Sequence, residues 1–204
     1  MKINFSKEIN ILFILGLFGV SYLFFVLIQW LEHFLPASSQ DFIKMFHFLT
    51  IPGIFYILLK LFEEFFWKWK IWRFLKIVDF PDLNGEYKGQ LTSSFKEKDG
   101  ENYEQKITLK IKQSFSSIVI QLSTNSFSSE SISKKAFFDF NELKQKSCLY
   151  YFFQNTPGEN ATKTMQMHEG STILCYDEKT KKLKGTYYSG RGRNNYGDIE
   201  LIKE

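Results

Sequence analysis

The sequence predicts a membrane-anchored all-β protein, with two N-terminal transmembrane helices followed by a small antiparallel eight-stranded β-barrel. Three observations predict this fold. Two long apolar runs, residues 9–31 and 45–59, are separated by only thirteen residues. A segment rich in aromatic and basic residues follows them. The rest of the chain alternates short strand patterns with turn sequences, and helical patterns are nearly absent from it.

The first apolar run is long enough to cross a bilayer. Residues 9–31 are 23 positions without a charged side chain, and about 20 helical residues cross a hydrocarbon core about 30 Å thick. A signal peptide has a shorter apolar region, of about 7 to 15 residues, before its cleavage site. This run continues through Phe24 and Phe25 to Trp30, so we interpret it as a retained anchor.

The second apolar run is shorter, with 15 uncharged residues. It reaches a full crossing over residues 42–62 if Lys44 and Lys60 extend toward the two headgroup layers. A buried helical hairpin is the alternative interpretation. Pro52, followed by glycine, favours a kink inside this run, which would be a hinge or a tolerated bend. We therefore assign residues 1–62 to a two-helix transmembrane anchor.

Positive charges give the expected orientation of this anchor. Lysines and arginines occur at the N-terminal tip and after the second run, whereas residues 32–43 between the runs contain neither. Positive charge is retained on the cytoplasmic side, so both termini of this multi-pass protein are expected in the cytoplasm. Residues 63–82 are interpreted as an interfacial aromatic and basic linker, either a simple interfacial belt or a lever to the helices.

Residues 83–204 are 122 residues, enough for one compact domain. They carry 18 Lys and Arg against 15 Asp and Glu, a net charge of +3. This charge is too weak to predict duplex nucleic acid as a partner, but it permits a small anionic ligand. Cys148 and Cys175 are interpreted as reduced packing residues of a cytoplasmic domain. The spacing of residues predicts no metal site, and no cofactor motif occurs.

The domain reads as eight or nine short strands. Ile107, Leu109 and Ile111 alternate with polar residues, and residues 118–122 repeat the pattern after a serine-rich connection, which predicts a hairpin. Only residues 141–146 resemble a helical turn. The other predicted strands are residues 87–95, 128–138, 148–154, 164–168, 171–176, 184–189 and 198–202.

Close spacing without intervening helices predicts antiparallel pairing, and a closed barrel leaves no exposed strand edge. The interior of an eight-stranded barrel is either filled by side chains or holds one small ligand. The sequence therefore leaves a ligand-binding barrel and a filled barrel that contacts proteins as alternatives.

An ordered series of short motifs matches a known family. After the two apolar runs come Leu-Asn-Gly-Glu-Tyr-Lys-Gly at 83–89, the predicted hairpin, and a serine-rich segment at 126–131. Leu-Tyr-Tyr-Phe at 149–152, His-Glu-Gly at 168–170 and Leu-Lys-Gly-Thr-Tyr-Tyr at 183–188 follow. This order resembles the bacterial anti-phage CBASS membrane effectors, which join two transmembrane helices to a β-strand-rich cyclic-nucleotide sensor. One departure is Tyr87, where the family pattern has tryptophan.

The resemblance implies an eight-stranded barrel similar in shape to lipocalins, which binds a cyclic dinucleotide made by a nearby CD-NTase. It further implies location in the bacterial inner membrane, homo-oligomerisation of the helices on activation, membrane disruption and abortive infection. A membrane-tethered lipocalin-like barrel that binds an apolar ligand or a protein partner, without membrane disruption, is the alternative function.

The predicted ligand contacts follow from the chemistry of a cyclic dinucleotide, which has two phosphates, two flat bases and sugar hydroxyls. Guanidinium groups in the glycine-bracketed loop at 190–193 suit phosphate, tyrosines suit base stacking, and hydroxyls at alternating positions suit ribose or phosphate. A solvated loop and tyrosines packed in the core are the alternatives. The candidate residues are Arg191, Arg193, Tyr87, Tyr150, Tyr187, Thr124, Ser126 and Ser128.

The sequence does not favour an enzyme. His168 and Glu169 begin a pattern seen in metalloproteases, but position 172, where a second histidine is needed, is Thr172. Neither a nucleophile motif nor a phosphate-binding glycine loop occurs in the sequence. We therefore predict no catalytic residues.

Overall fold

The structure of the protein is a computed structural model that describes residues 11–34, 36, 50–75, 77–96, 100, 102–124, 129–141, 146–158, 166–190 and 194–204. The chain divides into two compact units, a helical unit that ends at Asp79 and a barrel unit that begins at Phe80. The barrel unit thus begins three residues before the predicted domain start at Leu83.

The helical unit contains α1 (Ile11–Phe34), α2 (Ile51–Glu64), a short 3-10 helix (Phe66–Lys68) and α3 (Lys70–Phe74). Within the described part of the chain, one helical segment is long and apolar enough to cross a bilayer, Phe13–Leu31 of α1. Most of the large apolar side chains along it are exposed in the unit. The first predicted span therefore coincides with a helix of the required length and composition.

The second predicted span, residues 42–62, is described only in part, because residues 42–49 lie outside the described residues. Its described helix, α2, has 14 residues, or about 21 Å at 1.5 Å per residue, which is short of a full crossing. Thr50 caps this helix and accepts a hydrogen bond from the Gly53 N–H. Pro52 lies in the first turn of α2, where no backbone partner is lost, and the expected kink inside this run stays a prediction because residues 42–49 lie outside the described residues.

The barrel consists of eight strands in a closed antiparallel order in which each strand pairs with the next and β8 returns to β1. This confirms the predicted eight-stranded antiparallel barrel. The helical turn predicted at 141–146 lies outside the described residues except for its two ends. Of the strand predicted at 164–168, residues 164 and 165 lie outside the described residues, residues 166 and 167 are not in a strand, and His168 begins β6. The strands are β1 (Gly85–Lys96), β2 (Asn102–Gln113), β3 (Ile118–Thr124), β4 (Ser129–Asn141), β5 (Lys146–Pro157), β6 (His168–Asp177), β7 (Lys182–Ser189) and β8 (Tyr196–Lys203).

The alternating pattern of β2 and β3 explains their pairing. Leu109 faces Leu122 and Ile111 faces Ile120 across the two strands, so both apolar rows point into the barrel. The connection is a tight turn in which the Ser114 N–H donates to the Ser117 carbonyl at 2.8 Å. The predicted hairpin is confirmed.

One end of the barrel is filled by side chains and closed by residues 81–84, which precede β1. Gln113 is the residue that holds this closing segment. Its Oε1 accepts a hydrogen bond from the Leu83 N–H at 2.8 Å, and its Nε2 donates to the Pro81 carbonyl at 3.1 Å. Asn84 adds a second pair of bonds, to the backbone of Gln113. The filled end is the apolar core, with Leu83, Tyr87, Leu109, Ile111, Ile118, Ile120, Leu149, Leu174, Leu183 and Leu201.

The interpretation of the two cysteines as reduced packing residues is wrong. Cys148 in β5 and Cys175 in β6 are directly opposite one another and form a disulfide bond. The two residues are 27 positions apart in the sequence, and the local strand pattern of neither indicates which residue of another strand it will face. Their pairing therefore depends on the register of β5 against β6.

Candidate functional site: a cavity at one end of the barrel

The end of the barrel opposite the closing segment is hollow. It contains a cavity of about 580 Å³, within the range of small-molecule sites. We call it the barrel cavity. All eight strands, or residues directly next to them, contribute to its wall. Its described lining consists of Leu91, Ser93, Phe95, Tyr103, Gln105, Leu122, Thr124, Ser129, Ser131, Tyr151, Phe153, Asn155, His168, Thr172, Tyr187, Ser189, Asn195 and Ile199.

The change from filled end to cavity can be followed along single strands, because every second residue points inward. In β5, Leu149 belongs to the filled core, and the following inward residues, Tyr151, Phe153 and Asn155, line the cavity. In β1 the inward residues pass from Tyr87 in the core through Leu91 to Ser93, and the last two line the cavity. The inward side chains therefore become more polar toward the hollow end.

Two aromatic rings in the wall lie against glycines of the neighbouring strand. Phe153 is directly opposite Gly170, and Tyr187 is directly opposite Gly197. A Cβ atom at Gly170 would overlap the Phe153 ring, and one at Gly197 would lie 2.8 Å from Cε1 of Tyr187. The glycines thus leave the space that these rings occupy. This arrangement provides flat apolar surfaces in the cavity wall.

Buried hydroxyl groups supply most of the polarity of the cavity. Thr124, which is buried, and the half-buried Ser129 bind one another where β3 ends and β4 begins. The Ser129 N–H donates to Thr124 Oγ1 at 3.2 Å, and this hydroxyl donates to the Ser129 carbonyl at 3.3 Å. The other buried hydroxyl residues of the wall are Ser93, Ser131, Thr172 and Ser189.

Tyr151 is the most deeply buried tyrosine of the cavity wall, with 2% of its surface exposed. Burial raises the pKa of its phenol to about 12, and a hydrogen bond with the Thr172 side chain opposes this rise. Tyr151 is directly opposite Thr172 in β6. Its hydroxyl is therefore neutral at physiological pH and retains its proton.

The described lining contains no lysine or arginine, and His168 is its one basic side chain. A wall of neutral hydroxyls, amides and aromatic rings suits an uncharged polar surface better than a bare anion, because a buried charge needs a partner. Charged parts of a ligand would therefore have to meet groups near the ends of the strands.

The structure brings two of the predicted site residues, Thr124 and Tyr187, into the cavity wall. Tyr87 is fully buried in the filled end, where its hydroxyl donates to the Leu83 carbonyl at 3.1 Å. Tyr150 alternates with the inward Tyr151 and stacks on Phe137, with ring centroids 5.2 Å apart. Neither tyrosine is in the described cavity lining.

Four predicted residues, Ser126, Ser128, Arg191 and Arg193, lie outside the described residues. The described residues that flank them can be placed. The barrel cavity is lined by residues close to both pairs. Thr124 and Ser129 enclose the two serines in the sequence, and Ser189 and Asn195 enclose the two arginines.

Sequence reasoning missed several wall residues. Tyr151, Phe153, Asn155 and Thr172 were not among the candidates. The available signal was the alternation in β5 itself, where an inward apolar series ends in an asparagine. A polar residue at an inward position indicates either a buried hydrogen-bond network or a ligand site.

A closed antiparallel barrel that is filled at one end and hollow at the other defines the class of barrels that hold one small ligand inside. The comparison with known families gives the particular group. The chain belongs to the family described as "Cap15, cyclic dinucleotide receptor domain", which matches residues 78–203. The predicted membership of the CBASS effectors with a β-barrel sensor domain is thereby confirmed.

Three curated relatives are similar over most of the chain, and each is named CD-NTase-associated protein 15. The protein of Staphylococcus schleiferi is 30% identical over 142 residues, which cover 70% of this chain and 70% of the relative. That of Yersinia aleksiciae is 24% identical over 182 residues, with coverage of 86% and 79%. That of Escherichia albertii is 30% identical over 176 residues, with coverage of 84% and 86%.

Proposed function

We propose that the barrel cavity binds a cyclic dinucleotide and that the protein is a ligand-gated, non-enzymatic effector of CBASS anti-phage defence. One observation carries this proposal. The part of the chain that matches the receptor family contains a cavity of about 580 Å³ whose wall combines aromatic rings with hydroxyl and amide groups. A dinucleotide has flat bases and sugar hydroxyls that complement these two kinds of surface.

The roles proposed for individual residues follow from their positions. Tyr187 and Phe153 offer ring faces on which a base could stack, and Thr124 offers a hydroxyl. Arg191 and Arg193 are proposed to meet phosphate, with Ser126 and Ser128 as further hydroxyl contacts. The support for these four is that nearby described residues on both sides of each pair line the cavity, namely Thr124, Ser129, Ser189 and Asn195. Tyr87 and Tyr150 have no such support.

We further propose that the helical unit is a two-span anchor in the bacterial inner membrane, with both termini cytoplasmic. Ligand binding would promote homo-oligomerisation of the helices, disruption of the membrane and abortive infection. The support is α1, whose length and exposed apolar side chains fit a lipid environment. A ligand drives such a change only if it binds the assembled state more tightly, and a switch from 1:99 to 99:1 needs about 5.5 kcal/mol.

The alternative function is a lipocalin-like barrel that binds an apolar ligand without membrane disruption. Leu91, Leu122 and Ile199 give the cavity a partly apolar wall, which supports this alternative. A lipocalin-like shape would suit both functions, so the two proposals differ in the class of ligand that the cavity binds.

The test is a titration of the full chain in detergent micelles with cyclic dinucleotides, the corresponding linear dinucleotides and fatty acids. A specific ligand at 100 times its Kd should raise the free energy of unfolding by about 2.7 kcal/mol. We expect this only with a cyclic dinucleotide. A response to fatty acids alone would support the apolar alternative, and no response to any cyclic dinucleotide would contradict the proposal.

Matched variants then locate the site. Tyr187→Leu should weaken binding at least tenfold, whereas Tyr188→Leu, which alters the exposed neighbour on the same strand, should not. Arg191→Ala should weaken binding, with Lys184→Ala as the control for loss of one positive charge. Equal binding by Arg191→Ala and the wild type would remove this arginine from the site and leave the cavity assignment intact.

The membrane proposal needs its own measurement. Full chain in liposomes should release an entrapped dye when the cyclic dinucleotide is added, together with ligand-dependent crosslinking between copies. Binding without dye release and without crosslinking would keep the receptor and reject membrane disruption.

A further inference from the structure

We propose that Asn155 determines ligand specificity by donating a hydrogen bond from its Nδ2 to a carbonyl oxygen of a nucleobase. This inference rests on the function proposed above. It selects dinucleotides that contain uracil, cytosine or guanine, because adenine has no carbonyl group.

Asn155 is placed at the hollow end by the register of three strands. It is the last inward residue of β5 to line the cavity, directly opposite Ser131 in β4 and His168 in β6. Only 5% of its surface is exposed, so its amide has little access to bulk water. A side chain this deeply buried needs hydrogen-bond partners from protein or ligand.

One half of this amide already has a partner. The Ser129 hydroxyl donates to Asn155 Oδ1 at 2.5 Å, and the hydrogen bonds between Ser129 and Thr124 hold this serine in place. Because the oxygen is occupied, the nitrogen is the group available to a ligand. The orientation of the amide is thus fixed by residues of β3 and β4.

The other half of the amide lacks a partner. Among the described residues, no acceptor lies within hydrogen-bond distance of Asn155 Nδ2, although this atom is buried. Leaving a buried donor unpaired costs about 1 to 3 kcal/mol. A ligand acceptor in the barrel cavity would relieve this cost, so the interaction favours the bound state.

The chemistry of the wall favours a base carbonyl over a phosphate oxygen as that acceptor. Asn155 is a neutral donor, and the described lining near it offers no lysine or arginine to balance a phosphate charge. Burying an unpaired charge costs far more than burying a carbonyl group. A cavity with a buried, preoriented donor also rejects analogues without the acceptor more strongly than an apolar wall does.

The experiment is a double-mutant cycle between protein and ligand, using the full chain in detergent micelles and calorimetry. The probes are the tightest-binding carbonyl-containing cyclic dinucleotide, its analogues with sulfur in place of each base carbonyl oxygen, and its phosphorothioate analogue. Asn155→Leu removes both halves of the amide. Asn155→Asp keeps an acceptor for the Ser129 hydroxyl and replaces the donor with a second acceptor. Because the aspartate also adds a buried negative charge, the stability of this variant is measured alongside its affinity.

We expect both variants to lower the affinity for the parent ligand about tenfold or more, which corresponds to about 1.4 kcal/mol. One thiocarbonyl analogue should bind the wild type more weakly than the parent ligand does. Asn155→Leu should bind this analogue and the parent ligand equally well, because the variant has already lost the interaction that the analogue removes. Gln121→Leu, which replaces an exposed amide side chain of β3, is the control. It should leave the affinities for the parent ligand and for the analogue unchanged.

Other outcomes overturn the inference. A coupling energy between Asn155→Leu and the phosphorothioate analogue, with none for any thiocarbonyl analogue, would show that Asn155 Nδ2 donates to a phosphate oxygen. Unchanged affinity in Asn155→Asp, or binding of adenine-only dinucleotides alone, would also overturn it while the proposed receptor function survives. Failure of every cyclic dinucleotide to bind the wild type would instead contradict the proposed function itself.

Discussion

Tyr187 of β7 and Gly197 of β8 are directly opposite one another, and a Cβ atom at the glycine would lie 2.8 Å from the tyrosine ring. The same atom would overlap the carbonyl oxygen of Thr92 in β1. Only glycine, which has a hydrogen atom in place of a side chain, fits at position 197. The absence of a Cβ atom there leaves the space that the ring of Tyr187 occupies in the cavity wall.

Gly197→Ala should lower the free energy of unfolding by about 3 kcal/mol, since backbone atoms cannot move aside as a flexible side chain can. Urea titration of the full chain in detergent, followed by near-ultraviolet circular dichroism of the tyrosines, measures this. Gly100→Ala is the matched control, because its Cβ would meet no atom within 4 Å. Alanine at position 100 should still lower the free energy of unfolding by about 1 kcal/mol, because the backbone there has a positive φ. Equal losses in the two variants would refute the steric explanation.

Gln113→Leu should destabilise the closed end of the barrel by about 2 to 4 kcal/mol. The substitution leaves the Leu83 N–H and the Pro81 carbonyl without their buried side-chain partner. Hydrogen exchange of residues 81–84 should accelerate in the same variant. Gln121→Leu, in which the altered amide is exposed, should stay within about 0.5 kcal/mol of the wild type. Unchanged exchange at 81–84 would show that the segment is held by other contacts.

Reduction of the Cys148–Cys175 disulfide should lower the free energy of unfolding by about 3 to 4 kcal/mol. The bond closes a segment of 27 residues, and closing it restricts the unfolded chain. Unfolding of the full chain with and without a phosphine reductant measures the difference, and thiol titration after denaturation gives the redox state. In Cys148→Ser the reductant should have no effect. Two free thiols in non-reduced protein would contradict the disulfide.

The stability of the barrel should decrease as the pH rises from about 10 toward 12. Burial raises the pKa of Tyr151 from 10.0 to about 12, so the unfolded state releases its proton first. The stabilising contribution is complete below pH 10 and is lost through pH 12, on the order of 2 to 3 kcal/mol. Burial also raises the pKa of Tyr87, so Tyr151→Phe should remove only part of the decrease.

Local patterns were sufficient for most of the strands and for the pairing of β2 with β3. The alternation of Ile107, Leu109 and Ile111 fixes which face of β2 is buried, and the short turn to β3 leaves one register. The disulfide could not be predicted in this way. Cys148 and Cys175 meet because β5 and β6 pair across a long connection, whose length leaves the register open.

The cavity could be predicted in part. Of the predicted ligand contacts, Thr124 and Tyr187 line the cavity, which agrees with the alternation of inward and outward residues along their strands, and their contact with a ligand stays a prediction. The same rule cannot tell the filled end from the hollow end. Tyr87 and Tyr187 are both inward tyrosines, and the difference between them is that Leu83 and the closing segment cover one end of the barrel. That distinction depends on contacts between distant parts of the chain.

The pairing of β1 with β8 restricts how copies of this protein can associate. In the described barrel every strand has a hydrogen-bonded neighbour on both sides, so its backbone presents no template on which a strand of another chain could add. Growth of an assembly by strand exchange or by a shared sheet would require the barrel to open first. Association of closed barrels must therefore use side-chain packing, and its geometry can be altered by surface substitutions without disturbing the sheet.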